Sequence, residues 1–226
     1  AFNLVISLGG DGSILSCVRR MKDKQVPILG IHIGNLGFLN QCNIENYKKY
    51  INTLIKTEKI NYTKHKLIEA NFTQKNNRNE NILALNDIVI SQKEIPRLLN
   101  LDVYVNDILL NNFNADGIIF SSPLGSTAYS LSAGGPIVTP EVDSIILTPI
   151  SPHALSNRPI VLGPNSIIKV KSINTTDSIT VSSDGQSIYS IDCDSIRILN
   201  TSIYAKMVSS NNGDNYYKKL RNKLGW

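Results

Sequence analysis

Three short stretches of this chain combine residue types that can do chemistry. The first is Gly9-Gly10-Asp11-Gly12, a glycine turn that carries one carboxylate. An apolar run, Leu4 to Leu8, leads into it, and Ile14, Leu15, Val18 and Met21 follow at helical spacing. Strand, glycine turn and helix start together present backbone N–H groups to an anion. Gly10 and Gly12 let a phosphate approach the main chain without a Cβ in the way. Asp11 is out of place in a purely phosphate-binding loop, because a carboxylate repels phosphate. A loop that binds phosphate and also holds an ionised acid suggests phosphoryl transfer to a hydroxyl, with Asp11 accepting the proton. A tight βα turn with Asp11 as helix N-cap is the competing reading. On these four residues alone the two stand level.

The second stretch is Asn86-Asp87, set between Ile82–Leu85 and Ile88-Val89-Ile90. Asp87 offers two acceptor oxygens, which suit a ribose diol, and Asn86 offers both donor and acceptor. Adjacent side chains in a strand point to opposite faces, so both can touch one ligand only at a strand end or bulge. Taken locally, a polar pair at a strand edge explains them better. The third stretch runs from Ser121 to Pro136 and is the densest in small, hydroxyl and glycine residues. An apolar strand, Ile118-Ile119-Phe120, enters it directly, and Thr127, Tyr129, Leu131 and Pro136 interrupt it. That pattern predicts a polar-edged ligand slot with a short small-residue helix, not a flexible linker. His153, in a proline-punctuated loop, has no nucleophile or metal-ligand partners in sequence. Ser183-Asp184-Gly185-Gln186 reads as a turn between strands, with only a weak functional signal.

These stretches need elements to hold them. The alternation of periods predicts an α/β domain over residues 1–62, Rossmann-like and truncated at its start. Its second apolar run, Ile28 to Ile33, ends in another glycine turn, Gly34-Asn35-Leu36-Gly37-Phe38. Both glycine turns then lie at carboxyl ends of strands, where open α/β sheets bind ligands. Beyond Lys64, short apolar runs separated by turn residues predict an all-β domain over 63–205. Asn106-Asp107 is a two-residue hairpin signal within it. A short basic amphipathic helix, Tyr216 to Leu224, is expected to return with the 206–226 segment and pack on the first domain.

Composition narrows the function classes. The chain has 226 residues, 42% of them apolar, and a net charge of +5. No apolar run approaches the ~18 residues of a membrane span. No signal peptide is visible, and the reading is a cytoplasmic protein whose missing start could hold a targeting segment. The basic residues are scattered, which fits solvated helix faces better than a nucleic-acid groove. A basic balance also suits nucleotides. Cys17, Cys42 and Cys193 form neither a metal pattern nor a disulfide framework, which points to a reducing compartment.

Taken in order, the motifs resemble the ATP-dependent NAD kinases over nearly the whole chain. The run is Gly9-Gly10-Asp11-Gly12, Gly34-Asn35-Leu36-Gly37-Phe38-Leu39, Asn86-Asp87, Asp116-Gly117, Gly125-Ser126-Thr127-Ala128-Tyr129, Gly134-Gly135-Pro136-Ile137, Pro149 to Pro159 and Leu220 to Trp226. A GGDG turn alone also occurs in lipid kinases and phosphofructokinases. GGDG together with the Asn-acid pair and Gly-Ser-Thr-Ala-Tyr is specific. The resemblance implies transfer of the ATP γ-phosphoryl to the 2′-hydroxyl of the adenosine ribose of NAD. It implies Asp11 as general base, Gly10 and Gly12 near phosphates, and Asn86 and Asp87 on the NAD ribose. Thr127, Ala128 and Ser132 would line the adenine slot with Phe38 near it, and Asp116 and Tyr129 would lie toward the nicotinamide. Mg²⁺ would accompany ATP, and a homodimer or homotetramer is expected, with no nucleic-acid or membrane partner. A GGDG-type lipid kinase and a catalytically silent NAD-binding module are the alternatives. Three features depart from the family pattern. Asp87 replaces the usual Glu, Leu124 replaces a small hydroxyl residue, and the opening βα unit is absent.

Overall fold

The computed structural model describes residues 2–34, 37–57, 60–92, 98–173, 179–209 and 216–226. Asn35 and Leu36 of the second glycine turn therefore lie outside the described residues. The chain divides into two units, Ala1–His65 with Ile203–Trp226, and Lys66–Ser202.

In the first unit, strand Val5–Leu8 pairs in parallel with strand Pro27–His32. Helix Asp11–Met21 connects them. Its buried face is Ile14, Leu15 and Val18, three of the four residues that the helical spacing predicts, and Met21 is half-buried. Pro27–His32 is the inner strand of this sheet, with Cys42–Asn43 and the end of Ile196–Val208 also pairing to it in parallel. A strand buried on both faces is a continuous apolar run, and Pro-Ile-Leu-Gly-Ile-His is one. Helix Tyr47–Thr57 packs Tyr47, Tyr50, Ile51 and Leu54 against Leu29, Ile31, Cys42 and Val208. The C-terminal helix Tyr216–Leu224 belongs to this unit and buries Leu220.

The second unit is built of antiparallel strands. Six of its described strands form one sheet in the order Ile160–Leu162, Ile145–Ile150, Gly117–Ser121, Asp87–Gln92, Ile179–Ser183, Ser187–Ile191. A second layer contains the hairpin Leu99–Val105 with Ile108–Ala115, paired onward to Ile168–Ser172 and to the start of Ile196–Val208. The hairpin turn has Asn106 at φ 51° and Asp107 at φ 65°, the left-handed pair that a two-residue hairpin requires. One core joins the layers, with Ile88, Ile90, Ile118, Phe120, Leu101, Val103 and Phe113 all buried. The expected small-residue helix is two short pieces, a 3₁₀ turn Leu124–Thr127 and helix Tyr129–Ser132. No helix among the described residues is long and apolar enough to cross a membrane.

Candidate functional site

The glycine turn of the first unit is tighter than the sequence suggests. Gly10 is the N-cap of the helix and Asp11 is its first residue, so the N-cap reading of Asp11 is corrected by one position. A carboxylate in the first turn complements the positive end of the helix dipole. The Asp11 side chain also turns outward to a second segment. Its Oδ2 accepts the Phe38 N–H at 2.7 Å, and its Oδ1 accepts the Leu39 N–H and Asn40 Nδ2–H, each at 3.0 Å. The two glycine motifs, 27 residues apart at Asp11 and Phe38, are thus tied by one carboxylate. Gly37 makes this approach possible, since a Cβ there would run into the Asp11 carboxylate. An ionised carboxylate has about four lone-pair sites. Among the described residues three are used, which leaves Oδ2 able to accept one more donor.

The other side of that segment is held by the C-terminal helix. Lys219 Nζ donates to the carbonyls of Asn40 at 2.8 Å and Phe38 at 3.2 Å. The segment is gripped by the Asp11 carboxylate on the Phe38 and Leu39 N–H groups and the Asn40 side-chain amide, and by the Lys219 ammonium on the Phe38 and Asn40 carbonyls. Gly10 and Gly12 are exposed, and Phe38 is half-buried.

In the second unit, Asn86, Asp87, Ala128 and Tyr129 line one cavity of about 310 Å³. Val89, Ser182, Asp184 and Gly185 complete its wall. Asp87 opens strand Asp87–Gln92, and Asn86 sits in the bend before it. That strand-end position is what brings two sequence neighbours to one cavity. Gly125 packs beneath the bend, where a Cβ would meet the Asn86 carbonyl. Thr127, Ser132 and Asp116 are not among the residues that line the cavity. Thr127 Oγ1 donates to the Leu124 carbonyl, and Ser132 and Asp116 are exposed.

Asp87 is 4% exposed and its carboxyl is pushed up to about 7, first by burial and then by the nearby Asp184 carboxylate. Near neutral pH it is therefore divided between an acceptor-only carboxylate and a neutral acid that can also donate. Asn86 Oδ1 is buried without a hydrogen-bond partner among the described residues. An unpaired buried acceptor costs about 1–3 kcal/mol. Tyr129, 47% exposed at the cavity edge, offers a ring face.

Asp184 and Lys219 are the residues that sequence reasoning underrated. Asp184 Oδ1 accepts the Asn86 N–H at 2.7 Å and the Asp87 N–H at 3.2 Å, and Oδ2 accepts the Leu85 N–H at 3.1 Å. The acid in the Ser-Asp-Gly-Gln turn was the available signal. Nothing in the local sequence distinguishes Lys219 from its basic neighbours.

The chain resembles known proteins in sequence and in fold. The ATP-NAD kinase N-terminal domain model matches residues 1–60, and the ATP-NAD kinase C-terminal domain model matches residues 85–210. An NAD kinase of Protochlamydia amoebophila is 41% identical over 224 residues, covering 99% of this chain and 78% of that protein. An NAD kinase of Treponema denticola is 39% identical over 226 residues, covering 100% of this chain and 79% of that protein. Yeast NADH kinase, solved with NADH, superposes with a TM-score of 0.90 at 32% identity, covering 100% of this chain and 66% of that one. An Archaeoglobus fulgidus NAD kinase solved with ATP gives a TM-score of 0.84 at 25% identity, covering 99% of this chain and 83% of that one. On domain models that span most of its length and on relatives that match it over 99% and 100% of its residues, the chain belongs to the ATP-NAD kinase family and is a phosphotransferase.

Proposed function

We propose that the chain transfers the γ-phosphoryl group of ATP to the 2′-hydroxyl of the adenosine ribose of NAD, forming NADP. One observation carries the reading. In a chain of this family, the Asn-acid pair Asn86 and Asp87 lines a single cavity together with Ala128 and Tyr129. A ribose diol presents two O–H donors, and ionised Asp87 presents acceptors to them. Asn86, on the wall of the same cavity, offers its side-chain amide to the nucleotide. Tyr129 and Ala128 provide the apolar surface for a ring.

In the transfer itself, the ribose oxygen forms a bond to the γ-phosphorus and the bond from that phosphorus to the β-bridging oxygen breaks. ADP leaves, and the hydroxyl proton passes to the Asp11 carboxylate. The free acceptor site on Asp11 Oδ2 supports that role, and the three bonds already made hold the carboxylate still. Gly10 and Gly12 have no Cβ to keep phosphate oxygens at a distance. Positioning supplies most of the acceleration in a loose phosphoryl-transfer transition state. Mg²⁺ is assigned to the ATP phosphates as MgATP, and it neutralises charge there.

Phe38, Thr127 and Ser132 are assigned to the adenine end and Asp116 to the nicotinamide end, and alanine substitutions with separate affinities for NAD and NMN test those assignments. A cytoplasmic homodimer or homotetramer without nucleic-acid or membrane partners is part of the same reading, and light scattering of the purified protein tests the assembly. The decisive assay incubates the purified protein with NAD and MgATP and measures NADP. Phosphorylated diacylglycerol or sphingosine without NADP would move the assignment to a lipid kinase. NAD binding without turnover would make it a silent NAD-binding module.

A further inference from the structure

The cavity of the second unit depends on a bend that a regular strand does not make. Asn79–Ala84 and Asp87–Gln92 are successive strands with only Leu85 and Asn86 between them. In a continuous strand Asn86 and Asp87 would face opposite ways. At this bend every backbone polar group is held. The N–H groups of Leu85, Asn86 and Asp87 all donate to the Asp184 carboxylate. The Leu85 carbonyl accepts from Ser122 Oγ at 2.6 Å, and the Asn86 carbonyl accepts from the Ser122 N–H at 2.8 Å. The Asp87 carbonyl accepts the Asp184 N–H at 2.9 Å, which makes the contact with Asp184 reciprocal.

Three consecutive N–H groups converging on one anion form a backbone nest, and charge-assisted bonds are the stronger class. The nest here is filled by the protein's own side chain. Asp184 reaches it from a turn in which it has φ 51° and Gly185 has φ 61°. A non-glycine residue tolerates that conformation when its side chain is bonded as firmly as this one is.

We infer that Asp184 is a positioning residue of the nucleotide site, whose carboxylate folds the 85–87 backbone so that the Asn86 and Asp87 side chains enter the same cavity. The inference rests on the functional reading above for the identity of the ligand, and on the hydrogen bonds alone for the clamp. Asp184 needs no contact with NAD to act in this way. Its effect falls on NAD and not on ATP, because the residues it orders are the Asn-acid pair.

The test compares wild type with Asp184→Ala and Asp184→Asn at about pH 8.5, where Asp87 stays ionised in each. Calorimetry gives the Kd for NAD, and steady-state kinetics give KM for NAD and for ATP. Asp184→Ala raises the NAD constants by about tenfold or more, equivalent to losing one or two such bonds, and leaves KM for ATP within about twofold. Asp184→Asn keeps one acceptor oxygen and recovers part of the loss. In an Asp87→Ala background the Asp184→Asn effect shrinks, because the pair acts as a unit. Amide exchange of residues 85–87 in ligand-free protein reads the clamp without any substrate, and it accelerates in the variants. If Asp184→Ala does not fold, Asp184→Asn and its exchange rates decide. Unchanged NAD constants in a folded variant, or equal losses for NAD and ATP, overturn the inference. Wild-type protein that neither binds NAD nor makes NADP overturns the functional reading instead, while amide exchange still reports on the clamp.

Discussion

Lys219 Nζ donates to the Asn40 carbonyl at 2.8 Å, although the two residues are 179 positions apart in the chain. Asn40 in turn donates through Nδ2 to Asp11 Oδ1. A lysine from the last helix, a loop from the second glycine turn and the acid of the first glycine turn therefore form one hydrogen-bonded unit. The loop between them is held on both its donor and its acceptor side.

Removing the lysine loosens that loop without touching Asp11. Lys219→Met should lower kcat/KM by about three- to tenfold and reduce Tm by a few degrees, on the scale of one or two charge-assisted bonds. Lys219→Arg should restore part of both. Steady-state kinetics and thermal unfolding check this together, and wild-type kinetics in Lys219→Met would sink it.

Asp11→Asn should lower kcat by about a hundredfold or more while NAD still binds. The structure adds a second consequence. An amide in place of Oδ2 faces the Phe38 N–H with its own donor, so the loop loses a bond and unfolding occurs at a lower temperature. Gly37→Ala should give the same pattern from the other side, because its Cβ displaces the Asp11 carboxylate. If Gly37→Ala retains full turnover, the tie between the two glycine turns is not needed for catalysis.

The Asp87 carboxyl sets a pH dependence of known sign. Its folded value of about 7 lies above the unfolded 3.8. The folded chain keeps a proton that the unfolded chain releases, so this group's contribution is fullest below the unfolded value and is lost as pH rises through about 7. Asp87→Asn should therefore raise Tm at pH 8, by about 5 °C, and the gain should shrink toward pH 5. Unfolding curves across that range read it, and a gain independent of pH would rule out Asp87 as the source.

Substrate binding should run the opposite way. Ionised Asp87 accepts from a ribose diol, so NAD affinity should rise as pH increases through about 7. The control is Asp87→Asn, whose affinity for NAD should be weaker and flat across the same range. Titration calorimetry between about pH 6 and 8.5 distinguishes the two profiles.

Gly125→Ala tests the floor of the same cavity. A Cβ there meets the Asn86 carbonyl, backbone that cannot rotate away. The expected cost is about 1–3 kcal/mol of stability, with weaker NAD binding in whatever remains folded. Normal stability and NAD affinity in Gly125→Ala would show that the Asn86 bend can shift freely.

Much of this protein is determined by local pattern. The helical spacing of Ile14, Leu15, Val18 and Met21 predicts a buried helix face, and the first three are buried. Asn106-Asp107 predicts a hairpin turn, and both residues adopt the left-handed conformation that it requires. The basic amphipathic run from Tyr216 to Leu224 is a helix over those same bounds. The motif order was enough to identify the family. These features were legible because each depends on residues a few positions apart, where periodicity and turn chemistry act.

Other features depend on partners far along the chain. The strand Ser187–Ile191 alternates too weakly to be read, and it exists because Ile179–Ser183 pairs with it. Asp11 looks like a cap or a base, yet it also binds a loop 27 residues away. Asn86 and Asp87 look like opposite faces of one strand, and the carboxylate of Asp184, 98 residues beyond Asn86, holds the bend that gives them a shared cavity. Sequence shows which side chains can donate and accept. Which donor meets which acceptor is decided by tertiary structure, because folding brings distant backbone groups within hydrogen-bond reach and burial then requires that they be paired.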